Sequence, residues 1–191
     1  MTSNKHTILL NKTTVATTIA LIASLMTGCI TTGSSGVASA GSTVANVAMQ
    51  ANYNGVAQVA ALGKAFSVAA RLTPGDTVKV GEAMVLQVQS PRAGRVWVIG
   101  VDASDKADLL FPNEAYRDNA VMADVVTRIP PEGSSGRLIA AEPRGDSRLL
   151  VVVTGPDQTL DEVVATAGGL RVLAKPEDKS WAATMVQVKV Q

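Results

Sequence analysis

Two stretches of this chain are apolar on both sides of an extended ribbon: RVWVIGV, Arg95 to Val101, and LLVVVT, Leu149 to Thr154. Both are far too short to cross a bilayer as helices, and both are rich in the β-branched residues that favour strands. A strand with one wet face alternates apolar and polar residues, so runs like these belong mid-sheet with cover on each side. Their neighbours do alternate. Met84, Leu86 and Val88 share one face of MVLQVQ, with Gln87 and Gln89 on the other. Phe66, Val68, Ala70 and Leu72 alternate ahead of a TPGD turn at 73–76, and Thr184, Val186, Val188 and Val190 oppose Met185, Gln187, Lys189 and Gln191 near the end. LLF at 109–111, VVTRIP at 125–130 and GRLIA at 136–140 read as shorter strands.

Seven to eight strands over residues 65–191, with turn signals at sandwich-like spacing, predict a mainly β domain. The expected architecture is an antiparallel immunoglobulin-like β-sandwich, with an eight-stranded barrel as the alternative. One short helix is expected after Gln158, where Thr159 and Glu162 form a capping-box pattern and Gly168 suits the residue past the helix end. Aromatic residues make up only 3% of the chain, so Val, Leu, Ile and Met must fill the core.

The N-terminal third has a different character. Lys5, His6 and Lys12 give a basic start, Thr13 to Met26 is uncharged and apolar, and Thr27-Gly28-Cys29 follows. Basic, apolar, small is the order of a secretory signal. The LMTGC sequence resembles the lipobox of bacterial lipoproteins, with Met26 where Leu is usual. That resemblance implies cleavage before Cys29 and acylation of its thiol, a membrane partner through N-terminal lipid. Two or three acyl chains supply the double anchor, each buried methylene contributing about 0.8 kcal/mol. Ile30 differs from the Asp that resembles an inner-membrane retention signal, which favours the outer membrane. Residues 1–28 are therefore expected to be a signal peptide and 29–64 a lipidated, Gly/Ser/Ala-rich tether ahead of the 65–191 domain.

No charged residue occurs between Cys29 and Gly63. Up to Thr43 the composition is that of a flexible stalk. Val44, Val47 and Ala51, then Val56, Val59 and Phe66, recur at helical spacing, while Tyr53-Asn54-Gly55 reads as an interrupting turn. One or two short Ala-rich helices lying on the domain are expected over 44–64. A segment that self-associates or lies on the membrane is the sharper alternative.

Composition narrows the function. His6 is the only histidine and Cys29 the only cysteine. With residues 1–28 removed, no Ser-His or Cys-His catalysis and no thiolate or histidine metal site can be built, so no catalytic residue, cofactor or metal is expected. The formal charge of +1 becomes −1 on losing Lys5 and Lys12, leaving 15 Lys plus Arg against 16 Asp plus Glu. Nothing there draws nucleic acid.

Val80-Gly81-Glu82, Leu86 to Ser90, Gly94, Val98 to Asp102, Leu110-Phe111-Pro112-Asn113 and Ile129-Pro130 together resemble a bacterial domain family of unknown function. The likeness extends to about Thr154, with Trp97 and Ser104-Asp105-Lys106 as departures from its pattern. It implies a β-sandwich found in envelope lipoproteins and also after caspase-like peptidase domains, and it brings no catalytic residue.

Three motifs have bland explanations. Asp102, Asp105 and Asp108 in DASDKAD are too few oxygens for calcium and read as a solvated hairpin turn, and they lack the sugar-stacking platform of a glycosidase. Arg144-Gly145-Asp146 reads as turn chemistry. The remaining candidate is PNEAYRDN, where Asn113, Glu114, Tyr116, Arg117, Asp118 and Asn119 lie between apolar strands. Its structural reading has Asn side chains bonding nearby backbone and Arg117 pairing with Asp118 or Glu114. Its functional reading is a partner-binding loop with Tyr116 and Arg117 as anchors. The expectation is thus a non-enzymatic outer-membrane lipoprotein whose sandwich binds an envelope protein or serves a secretion or surface assembly. A peptidoglycan or glycan binder is the alternative.

Overall fold

The computed structural model describes residues 50–134 and 136–191. The residues expected to form a signal peptide, Cys29, and the expected tether up to residue 49 lie outside the described residues.

A helix, α1 (Ala51–Leu62), comes first, followed by β1 (Ala69–Thr73), β2 (Thr77–Val78), β3 (Ala83–Gln89), β4 (Gly94–Val101), β5 (Ala107–Phe111) and β6 (Ala120–Val121). Then come β7 (Thr127–Ile129), β8 (Leu138–Ile139), β9 (Gly145–Thr154), β10 (Val164–Ala165), β11 (Arg171–Val172) and β12 (Ala182–Val190). The larger sheet runs β2-β12-β9-β4-β5, with β6 beside the start of β4. The smaller runs β1-β3-β7, with β8 beside the start of β3, and β10 and β11 form a separate ribbon. Every pairing is antiparallel except β2 with β12. The architecture is mainly β and consistent with the expected sandwich.

The period-two pattern decides which sheet face each side chain meets. Val96, Val98, Leu149, Val151, Val153, Val188 and Val190 point from the larger sheet into a core completed by Met84, Leu86, Val88 and Ile129 of the smaller one. The alternate residues Ile99, Val101, Leu150, Val152 and Ala183 form a second core on the opposite face. Its cover is Val56, Val59 and Ala60 of α1, with Leu160, Val163, Val164, Leu170 and Trp181. The strands that are apolar on both faces, β4 and β9, are adjacent at the centre of the larger sheet, covered on both sides as their sequence requires.

Two local readings are corrected. The Tyr53-Asn54-Gly55 turn does not exist, because all three residues lie inside α1. Gly55 is there for contact: a Cβ at that position would lie 2.2 Å from the Leu170 carbonyl oxygen. Helix α1 is accordingly a core element, so packing begins near residue 50 and not at 65. The helix expected after Gln158 does not form. The Thr159 N–H does donate to Glu162 Oε2 at 2.7 Å, but the reciprocal bond from the Glu162 N–H to the Thr159 hydroxyl oxygen is not formed. The Val163 and Val164 N–H groups both donate to the Leu160 carbonyl in a single turn. Both valines are then buried, and β-branched side chains continue more readily as strand than as helix. Gly168 and Gly169 (φ +74° and +107°) make the β10–β11 turn.

Candidate partner-binding loop

The loop after β5 is organised by its first asparagine. Asn113 Nδ2 donates to the Leu110 carbonyl at 2.9 Å, and Asn113 Oδ1 accepts from the N–H groups of Ala115 and Tyr116, both at 3.0 Å. Backbone bonds between Asn113 and Tyr116 in both directions close the turn. Tyr116 then folds its ring against the sandwich core, and its hydroxyl accepts from the Gly136 N–H at 2.7 Å. Gly136 leaves room for this approach, since a Cβ there would lie 2.5 Å from the Tyr116 ring and one of the two would have to shift. Asp118 Oδ1 accepts from the Ala120 N–H at 3.0 Å. Asn119, only 2% exposed, donates to the Val96 carbonyl at 3.1 Å and accepts from Arg95 Nη1 at 3.2 Å.

The six candidate residues thus divide. Asn113, Tyr116, Asp118 and Asn119 build the loop, and Asn119 is too buried to touch a partner. Glu114 and Arg117 are exposed. The expected Arg117 pairing with Asp118 or Glu114 is not formed, and the two ion pairs among the described residues are Lys106–Asp108 and Arg144–Glu142.

Tyr116 stands between two open hollows. One, of about 600 Å³, is lined by Leu109, Leu110, Tyr116, Arg137, Leu138 and Ile139 among others. The other, of about 530 Å³, is lined by Tyr116, Arg117, Val126, Arg128 and Glu132 among others. Leu109, Ile139 and Val126 are large apolar residues yet 47%, 49% and 43% exposed. Sequence reading missed them because they sit in stretches read simply as strands. Their exposure follows from short strands at the sheet margins, where the alternating face has nothing beyond it to cover it.

The carboxylates of the DASDKAD hairpin go separate ways. Asp102 accepts from the Ser104 N–H and hydroxyl and from the Lys106 N–H. Partial burial pushes its pKa up, but the bond from the Ser104 hydroxyl, those from the backbone and the Lys106 charge together hold it below the ordinary carboxylate value. Lys106 is raised, chiefly by its bond to Asp108. Asp105, in the left-handed region at φ 68°, turns to α1: it accepts from the Tyr53 N–H at 2.6 Å and the Asn52 N–H at 3.2 Å. The hairpin is therefore a helix cap supplied from another part of the chain.

No curated protein and no solved structure matches this chain. Residues 77–156 match the family described as Domain of unknown function (DUF4384), a span that runs from β2 to just past β9, includes the loop and accords with the resemblance carried by Leu110-Phe111-Pro112-Asn113.

Proposed function

We propose that this chain is an outer-membrane lipoprotein, lipidated at Cys29, whose β-sandwich is a protein-binding accessory module of the bacterial envelope, serving a secretion or surface assembly. The address rests on the basic, apolar and small order of residues 5–29 and on LMTGC. The act rests on one structural observation: Leu109, Ile139 and Val126 are exposed in the walls of the two hollows that meet at Tyr116, beside the exposed Arg117. Exposed apolar groups with an Arg at hand form the composition that protein interfaces favour. A glycan site would want an accessible indole face, and neither Trp is free for that. Trp181 is buried, and the indole N–H of the half-buried Trp97 donates to Thr154 Oγ1 at 3.2 Å.

Two measurements test this. Mass spectrometry of the mature protein should find an acylated Cys29 as the first residue, and Cys29→Ser should abolish both cleavage and acylation. A photo-reactive residue at 117 should cross-link an envelope protein, and Val126→Asp should remove that adduct. An adduct pattern identical to that of a probe at exposed Gln58 would sink the binding role.

A further inference from the structure

We propose that α1 is a detachable strap, latched by Asp105, whose release uncovers part of the second apolar face of the larger sheet while the sandwich core stays closed. The helix is weak by its own sequence. Twelve residues are marginal for an isolated helix, Gly55 sits in the middle, and Val56 and Val59 are poor helix formers. No charged residue complements its dipole, and Gln50 supplies no side-chain cap.

What holds α1 comes from elsewhere. Asp105 caps Asn52 and Tyr53, and Asn52 Nδ2 returns a bond to the Asp105 carbonyl at 2.7 Å. Asn52 Oδ1 accepts from the Leu170 N–H at 3.1 Å. Arg148 Nη1 donates to the Tyr53 carbonyl at 2.6 Å, its guanidinium 3.5 Å from the centre of the Tyr53 ring. The helix is formed while docked and has little to keep it formed once free.

The rest of the domain is built to outlast its release. The core between the two sheets contains no α1 side chain, so opening α1 leaves that core intact. What it uncovers is the part of the opposite face that Val56, Val59 and Ala60 cover. The inference holds whether or not Cys29 carries lipid, so its failure and that of the lipoprotein reading are separable.

Native-state hydrogen exchange on the full chain at low denaturant tests it. Amides of residues 55–62 should exchange through an opening of lower free energy and smaller denaturant dependence than those of residues 149–153 in β9. Asp105→Ala should speed α1 exchange about five- to tenfold, the usual worth of a cap, and leave β9 unchanged. Asp105→Asn, which keeps one acceptor oxygen for the Tyr53 N–H but puts a donor where Asn52 needs an acceptor, should give protection between that of wild type and that of Asp105→Ala. The proposal is overturned if wild-type α1 and β9 amides exchange in one cooperative step, a comparison that stands even where Asp105→Ala fails to fold. It is equally overturned if Asp105→Ala speeds both alike.

Discussion

Tyr116 and Arg117 are neighbours with opposite duties. The Tyr116 hydroxyl accepts a bond from the Gly136 backbone while its ring packs on the core. Tyr116→Phe should therefore cost about 1 kcal/mol in denaturant unfolding, the net worth of one hydrogen bond, and Tyr116→Ala about 3 kcal/mol. Arg117→Ala, at an exposed position without an ion pair, should stay within about 0.5 kcal/mol of wild type. An Arg117→Ala protein as destabilised as Tyr116→Phe would contradict this division. Acid stability also belongs at this scale. Asp178 is held below the ordinary value of 3.8 by the Ser180 hydroxyl and N–H, and Asp102 is lowered likewise despite its partial burial. A depressed folded pKa contributes stability above the unfolded value that is lost as pH falls through the folded one. Unfolding free energy should thus decline below pH 3.8, with a shallower slope in the Asp102→Asn, Asp178→Asn double variant. Equal slopes would refute it.

At the scale of elements, intrinsic propensity and packing disagree over Gly55. Alanine is worth about 1 kcal/mol more than glycine inside a helix, so propensity alone makes Gly55→Ala stabilising. Packing predicts the opposite, because the new Cβ would lie 2.2 Å from a backbone oxygen that cannot swing aside. Gly55→Ala should lower the melting temperature, whereas Gly75→Ala, which meets nothing within 4 Å, should leave it nearly unchanged. A rise at Gly55 would mean that α1 does not press on the β10–β11 turn. The same conflict explains why TLDE stops after one turn. Its local helix signal is outweighed by the burial of Val163 and Val164 under the larger sheet.

At the largest scale, the described residues form three layers: smaller sheet, larger sheet, and then α1 with the β10–β11 segment. A chain of residues 65–191 keeps every strand but bares the part of the second face that Val56, Val59 and Ala60 cover. It should retain β-type circular dichroism and self-associate in sedimentation, while residues 50–191 should remain monomeric under the same conditions. A monomeric, fully stable 65–191 would show that α1 covers nothing of consequence, and loss of the β signal would make α1 indispensable to the fold.

Periodicity, which is local, was legible. Alternation in MVLQVQ and in the last stretch placed β3 and β12, and the doubly apolar runs placed β4 and β9 at the sheet centre. Turn chemistry in PNEAYRDN was legible too, down to the asparagine that bonds its own backbone. What covers the second face was not. The capping carboxylate of α1 lies 52 residues beyond Tyr53 and the carbonyl facing Gly55 belongs to Leu170, so residues 50–64 in isolation resemble a tether interrupted by glycine. Strand pattern is written in neighbouring residues, whereas a helix this weak is decided by what it docks against, and only the tertiary structure brings Asp105, Arg148 and Leu170 to it.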